Sequence, residues 1–149
     1  MKNIIFTVVL VLMSYFSFAQ TFSGELKSAL KTDDPTALLS EIKAKKLSLN
    51  DCFDIEGSLY SLLAISIRMD KPKILEALIS NKADLNKVCN DKTPLMYAAK
   101  YGKLEAAKAL VKAGADFKII NKDKETALDY AVKYKNKELE IYLSALKTK

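Results

Sequence analysis

Thr93-Pro94-Leu95-Met96-Tyr97-Ala98-Ala99-Lys100-Tyr101-Gly102, continued by Lys103-Leu104-Glu105-Ala106-Ala107-Lys108-Ala109-Leu110-Val111-Lys112-Ala113-Gly114-Ala115-Asp116, decides how this chain folds. Thr93 can cap a helix start, and Pro94 fits the first turn, where no amide bond is lost. Leu95, Ala98 and Ala99 make a narrow apolar face, and the small alanines let a neighbouring helix come close. Gly102 breaks the helix. Leu104, Ala107, Leu110 and Val111 then recur at helical spacing as a second apolar face. Gly114 stands where a helix stop needs a left-handed residue. The stretch therefore predicts two short antiparallel helices followed by a loop. One such hairpin cannot bury its apolar faces alone, but stacked copies can.

Copies are present on both sides. Thr126-Ala127-Leu128-Asp129-Tyr130-Ala131, with Glu138-Leu139 and Tyr142-Leu143, repeats the pattern downstream. Ser61-Leu62-Leu63-Ala64-Ile65, then Ile74-Leu75-Glu76-Ala77-Leu78-Ile79 and Ala83-Asp84-Leu85-Asn86, repeats it upstream. Thr126 follows Thr93 by 33 positions, and Ala115-Asp116 follows Ala83-Asp84 by 32. A fixed period of this size marks a repeat architecture.

The Thr-Pro-Leu, Ala-Ala, Gly and Gly-Ala-Asp elements of residues 93–116 resemble the ankyrin repeat, with Met96 where the family usually has His. The resemblance extends over 61–145 and fades towards the N-terminus. Residues 24–50 keep only a skeleton of Leu26, Ala29, Leu30, an Asp33-Asp34-Pro35 break, Leu38, Leu39 and Ile42, which reads as a degenerate capping repeat. The second repeat has Asp70 and Lys82 in place of both glycines, and the last has Lys135 in place of the first. The implied fold is all-α, a solenoid of about four stacked helix-turn-helix units. Its approximate repeats are 24–55, 56–88, 89–120 and 121–149, within a domain of residues 20–149.

Residues 1–19 read as a secretory signal peptide. Lys2 supplies a short positive start, Ile4 to Met13 is apolar apart from Thr7, and Ser17-Phe18-Ala19 places small residues before a cut. The apolar stretch is shorter than the roughly 20 residues of a spanning helix. The expected mature protein is periplasmic or secreted, with no membrane span after signal removal. Export permits a disulfide between the two cysteines, Cys52 and Cys89. Asn50 to Ser61 spans 11 positions against 7 from Asn86 to Thr93, so the first loop between repeats carries an insertion holding Cys52. Cys89 lies in the next loop. A bridge needs Cα atoms within about 7 Å; two separate thiols are the alternative.

Composition narrows the chemistry. Of 149 residues, half are hydrophobic and 28% charged, and the net charge is +6, or +5 once Lys2 leaves with the leader. That balance favours acidic partners but is too weak to imply nucleic acid. There is no His, which removes Ser–His and Cys–His dyads and imidazole metal ligands. Two cysteines cannot close a four-ligand zinc site. No Gly-rich phosphate loop is present. The carboxylates Asp33-Asp34 and Asp51, Asp54, Glu56 lack the ligand spacing of a calcium site. The expectation is a non-enzymatic protein without cofactor or metal.

Overlaying the units brings Arg68, Lys100 and Lys133 to one place in successive first helices, followed by Met69, Tyr101 and Tyr134. The ankyrin resemblance implies that these places face the concave groove used for partner recognition. A basic ladder beside a Met/Tyr ladder suits a partner protein with an acidic surface. Solubilising lysines and tyrosines packed on helix ends are the plainer reading. Loop tips form a second candidate surface, with Gly57-Ser58, Tyr60, Asn90, Lys92 and Lys122 to Glu125 projecting; Tyr60 either contacts a partner there or covers the inserted loop. The expected function is a monomeric protein-interaction module of the cell envelope. The alternatives are an immunity protein neutralising a periplasmic toxin and a structural scaffold without a tight partner; all rest on fold analogy.

Overall fold

The computed structural model describes residues 23–147, so the expected signal peptide lies outside the described residues. Among the described residues, eight helices come in four consecutive pairs: α1 (Gly24–Thr32) with α2 (Pro35–Ala44), α3 (Leu62–Arg68) with α4 (Pro72–Ser80), α5 (Pro94–Tyr101) with α6 (Leu104–Lys112), and α7 (Ala127–Lys133) with α8 (Lys137–Leu146). Every first helix starts on a short hydroxylated side chain. Ser23, Ser61, Thr93 and Thr126 accept hydrogen bonds from the amides of Leu26, Ala64, Met96 and Asp129. Asp129 completes the cap at Thr126 by accepting that residue's own amide, which satisfies a further exposed donor of the first turn.

The glycine stops of the central copy have counterparts without glycine. Gly102 ends α5 in the left-handed region at φ 67°, and Asp33, Asp70 and Lys135 end their first helices at φ 54°, 58° and 59°. Gly114 likewise corresponds to Lys46 and Lys82. A left-handed conformation costs a non-glycine residue roughly 1–2 kcal/mol, so the stack must hold these turns by contact. It does so from one pair to the next. The Asp33 carboxylate accepts the Lys73 and Ile74 amides at the start of α4. Lys103 reaches Asp70 at 3.2 Å, and the Asn136 amide donates to the Ala99 carbonyl beside Gly102. A Cβ on Gly102 would lie 2.8 Å from the Asn136 side chain, so that position also needs glycine for space.

The first helices form the tightly packed row of the stack, α3 against α5 and α5 against α7. Ser66, Ala98 and Ala131, equivalent in the three units, are fully buried along it. Leu95, Met96 and Ala99 on α5 are buried too, whereas their equivalents on α7 are the partly buried Leu128, the exposed Asp129 and the exposed Val132. The last unit thus turns a more polar face outward, as the end of a stack must. Loops are tied in parallel: the Asn50 side chain accepts the Asp84 amide, and Asn86 accepts that of Asp116.

The all-α expectation needs a correction. The insertion between the first two pairs is a β-hairpin, β1 (Cys52–Ile55) antiparallel to β2 (Ser58–Ser61), with Phe53 opposite Tyr60. Glu56 and Gly57 both have positive φ, which fits the right-handed twist of a two-residue hairpin turn. Phe53 is fully buried and Tyr60 nearly so, which holds the hairpin on the stack. The expected boundary between residues 55 and 56 falls at this turn. Cys52 at the start of β1 is bridged to Cys89 in the following loop, with Cα atoms 5.9 Å apart.

The bridge joins residues 37 positions apart, and closing a loop of that size should stabilise the fold by about 2–4 kcal/mol. Reduction should therefore lower the melting temperature by several degrees. Intact-mass alkylation of the oxidised protein should find no free thiol.

Candidate functional site

The exposed edge of the first-helix row carries cations and aromatic rings in continuous contact. Arg68, at the end of α3, places its guanidinium 5.1 Å from the centroid of the Tyr60 ring. Tyr60 lies 5.3 Å from Tyr97, and Tyr97 stacks on Tyr101, one turn further along α5, at 6.2 Å. The Lys100 ammonium stands 5.4 Å from Tyr101 and 5.6 Å from Tyr134 of the next unit. Tyr134 stacks on Tyr130 at 6.0 Å, and Lys133 lies 5.7 Å from the Tyr130 ring. Cations over ring faces contribute on the order of 0.5–1 kcal/mol each when exposed. The i, i+4 spacing of Tyr97 with Tyr101, and of Tyr130 with Tyr134, is what puts those rings on one helix face.

The structure thus brings Arg68, Lys100, Lys133, Tyr101 and Tyr134 into one strip. Met69 is exposed at the end of α3. Tyr60 does not project from a loop tip; it takes the alternative, covering role, being buried, 9% exposed, and packed under Arg68 and against Tyr97. Its hairpin register turns it inward, on the same side as Phe53. Lys92 is half-buried, and its ammonium donates to the Asn90 carbonyl of its own turn.

The three cations are not equivalent. Lys133 donates to the Glu125 carboxylate at 2.8 Å. That carboxylate also accepts from the Asn121 amide, which donates in turn to the Tyr130 hydroxyl. The Lys133 bond, and secondarily that of Asn121, holds Glu125 below the usual carboxylate range, while the same carboxylate raises Lys133. Neither Arg68 nor Lys100 has a carboxylate partner within 4 Å among the described residues.

Tyr97 and Tyr130 were not legible as strip residues from the ladder of Lys and Tyr at helix ends. The signal lay one turn earlier, in the tyrosine four places after each cap residue, Thr93 and Thr126. Tyr97 is 2% exposed, and its hydroxyl makes no hydrogen bond of acceptable geometry, although the Asn90 amide is close enough to ease its ionisation. Burial, with Tyr60 and Tyr101 adding to it, pushes the phenol far above the ordinary tyrosine range. Among the described residues there is no group of three or more His, Cys, Asp or Glu placed to hold a metal ion, and no helix is long and apolar enough to cross a membrane.

Comparison with known proteins bears on the repeated helix pairs. A family model described as ankyrin repeats, in three copies, matches residues 60–147. The chain belongs to the ankyrin repeat family, whose repeats are protein–protein interaction modules. A protein of Rickettsia bellii (strain RML369-C), named as an ankyrin repeat protein, is 37% identical over 93 residues, covering 58% of this chain and 55% of that relative. The chain spans about half the length of that relative.

Tyr97 supplies a pH test. Its folded-state pKa lies above the unfolded value of about 10, so the neutral phenol is favoured by folding. Its stabilising contribution is complete below pH 10 and is lost as pH rises through the window above it. Tyr97→Phe should flatten the alkaline fall in melting temperature, leaving the share due to Tyr130, which is shifted the same way by burial. Near neutral pH the same change should cost little, because it removes a buried hydroxyl without a partner.

Proposed function

We propose that this chain is a non-enzymatic interaction module that binds a partner protein through the concave groove formed by its first helices, hairpin and loops. The observation that carries this reading is the unbroken contact from Arg68 through Tyr60, Tyr97, Tyr101 and Lys100 to Tyr134. Tyr101 and Tyr134, set on the buried Tyr60 and Tyr97, offer rigid aromatic area at low entropic cost, with two cations to steer an acidic partner. The disulfide and the packed tyrosines fix this surface before binding, which reduces the ordering cost of association.

In this reading the α1–α2 pair is a fourth, degenerate capping repeat, and the chain acts as a monomer. The leader-like sequence of residues 1–19 supports a location in the periplasm or outside the cell, and the Cys52–Cys89 bridge suits an oxidising compartment. The partner is an envelope or secreted protein with an acidic surface; a periplasmic toxin held by an immunity protein is one form of it.

The test is quantitative capture from envelope extract with the oxidised parent protein and with Arg68→Glu combined with Lys100→Glu. Both side chains are at the exposed edge, so the double variant should keep its melting temperature within a few degrees. A specific partner should bind the parent and lose at least about tenfold in affinity, ~1.4 kcal/mol. Undiminished capture by the double variant would move the site elsewhere. If the parent captures nothing, the scaffold role gains.

A further inference from the structure

The strip has a period, a width and a charge pattern. Arg68, Lys100 and Lys133 form one line across the ends of α3, α5 and α7, and Met69, Tyr101 and Tyr134 form a second line one residue further on. Packed helices stand about 8–10 Å apart, which sets the step along each line. The Lys100 ammonium lies 5.4 Å from Tyr101 and 5.6 Å from Tyr134, so those ring centroids are at most about 11 Å apart, in keeping with that step. In the first two of these units the strip is narrow. One turn earlier Ala64, Ile65, Met96 and Tyr97 are buried, and one residue later the chain turns away at Asp70 and Gly102, both left-handed. Charge then divides the cation line. Lys133 is held by Glu125 at 2.8 Å, whereas Arg68 and Lys100 have no carboxylate within 4 Å among the described residues.

From these three features we infer that the strip takes an acidic segment of the partner in the polyproline II conformation, with a carboxylate at every third residue and an apolar residue next to each. A polyproline II chain has three residues per turn and rises about 3.1 Å per residue, so one side recurs at about 9.3 Å. One turn of the segment thus spans one unit of the stack. A β-strand returns to the same side at about 6.6 Å or 13 Å, and neither matches. An α-helix matches at seven residues, about 10.5 Å, but at about 10–12 Å across it is wider than a strip one turn deep. Consecutive acidic and apolar residues of the segment mirror the consecutive cation and Met or Tyr of each helix end. Two carboxylates then meet Arg68 and Lys100, and the apolar neighbours lie on the exposed Met69 and the half-exposed Tyr101. Such a segment has no internal hydrogen bonds to exchange and is largely pre-formed, and aromatic surfaces suit it. Lys133 takes no part, because Glu125 already occupies it. This inference rests on the groove reading above and fixes the conformation and spacing of the bound segment.

The experiment titrates the chain, with its disulfide intact, while following the Arg68, Lys100 and Lys133 side-chain signals by NMR. The probe is acetyl-Glu-Pro-Pro-Glu-Pro-Pro-amide. Its controls are the isomer acetyl-Glu-Pro-Glu-Pro-Pro-Pro-amide, the glutamine counterpart of the probe, and a helical alanine-based peptide with glutamates seven apart. The probe should shift Arg68 and Lys100 and leave Lys133 unmoved, and Arg68→Glu with Lys100→Glu should abolish its binding. The isomer, which can meet one cation but not both, should bind about fivefold more weakly, the worth of one exposed ion pair. A third Glu-Pro-Pro unit should change the affinity of the parent by less than about twofold, and should tighten binding to Glu125→Gln, where Lys133 is released, by about fivefold. Equal affinity for the probe and its isomer, equal affinity for the glutamine counterpart, tighter binding of the helical peptide, an equal gain from the third unit in both chains, or no binding of the probe at millimolar concentration would each overturn the inference. Any of these results beside a partner whose capture depends on Arg68 and Lys100 would leave the groove reading standing. Capture indifferent to both residues would remove the groove reading as well.

Discussion

Close approach of α3, α5 and α7 through Ser66, Ala98 and Ala131 is the constraint on which the rest depends. No larger side chain fits at these fully buried positions without pushing the helices apart. That approach sets the distance at which a lysine on one helix meets a tyrosine on the next. The Lys100 contact to Tyr134 and the packing of Tyr60 on Tyr97 both cross from one unit to another. The strip is therefore a property of the stack, and no isolated helix pair could present it.

Around this row the fold is held by links that repeat with changing chemistry. Turns after the first helices adopt the same left-handed geometry whether the residue is Asp33, Asp70, Gly102 or Lys135. Asp33 offsets part of that strain by accepting two amides of α4, and Asp70 by meeting Lys103. The hairpin follows the same logic. Phe53 anchors it in the core, and the Cys52–Cys89 bridge ties its first strand to the neighbouring loop, so that Tyr60 is fixed under Arg68. Covalent, apolar and charge-assisted links converge on one surface.

Much of this was legible in the residues. Thr93-Pro94 and the two glycines of the central copy marked the helix ends, and the 33-residue spacing placed the units. The alignment of Arg68, Lys100 and Lys133 placed one side of the strip. What escaped was set by tertiary context. Cys52 to Ser61 was short enough to pass as an irregular loop, and its strand pairing depends on burying Phe53 against helices distant in sequence. The choice between a projecting and a covering Tyr60 was open for the same reason. The two open possibilities for the cysteines needed the bend of that hairpin to decide them. The difference between Lys133 and Lys100 lay in the residue before each helix cap, where a single change from Glu to Lys reverses the local charge.

The most direct measurement is an NMR map of inter-ring and lysine-to-ring contacts in the oxidised protein. The stack and its strip require nuclear Overhauser contacts from Tyr60 to Tyr97 and from the Lys100 side chain to the Tyr134 ring. Rings that contact only residues of their own helix pair would mean that the units do not approach as described, and the common surface would be lost.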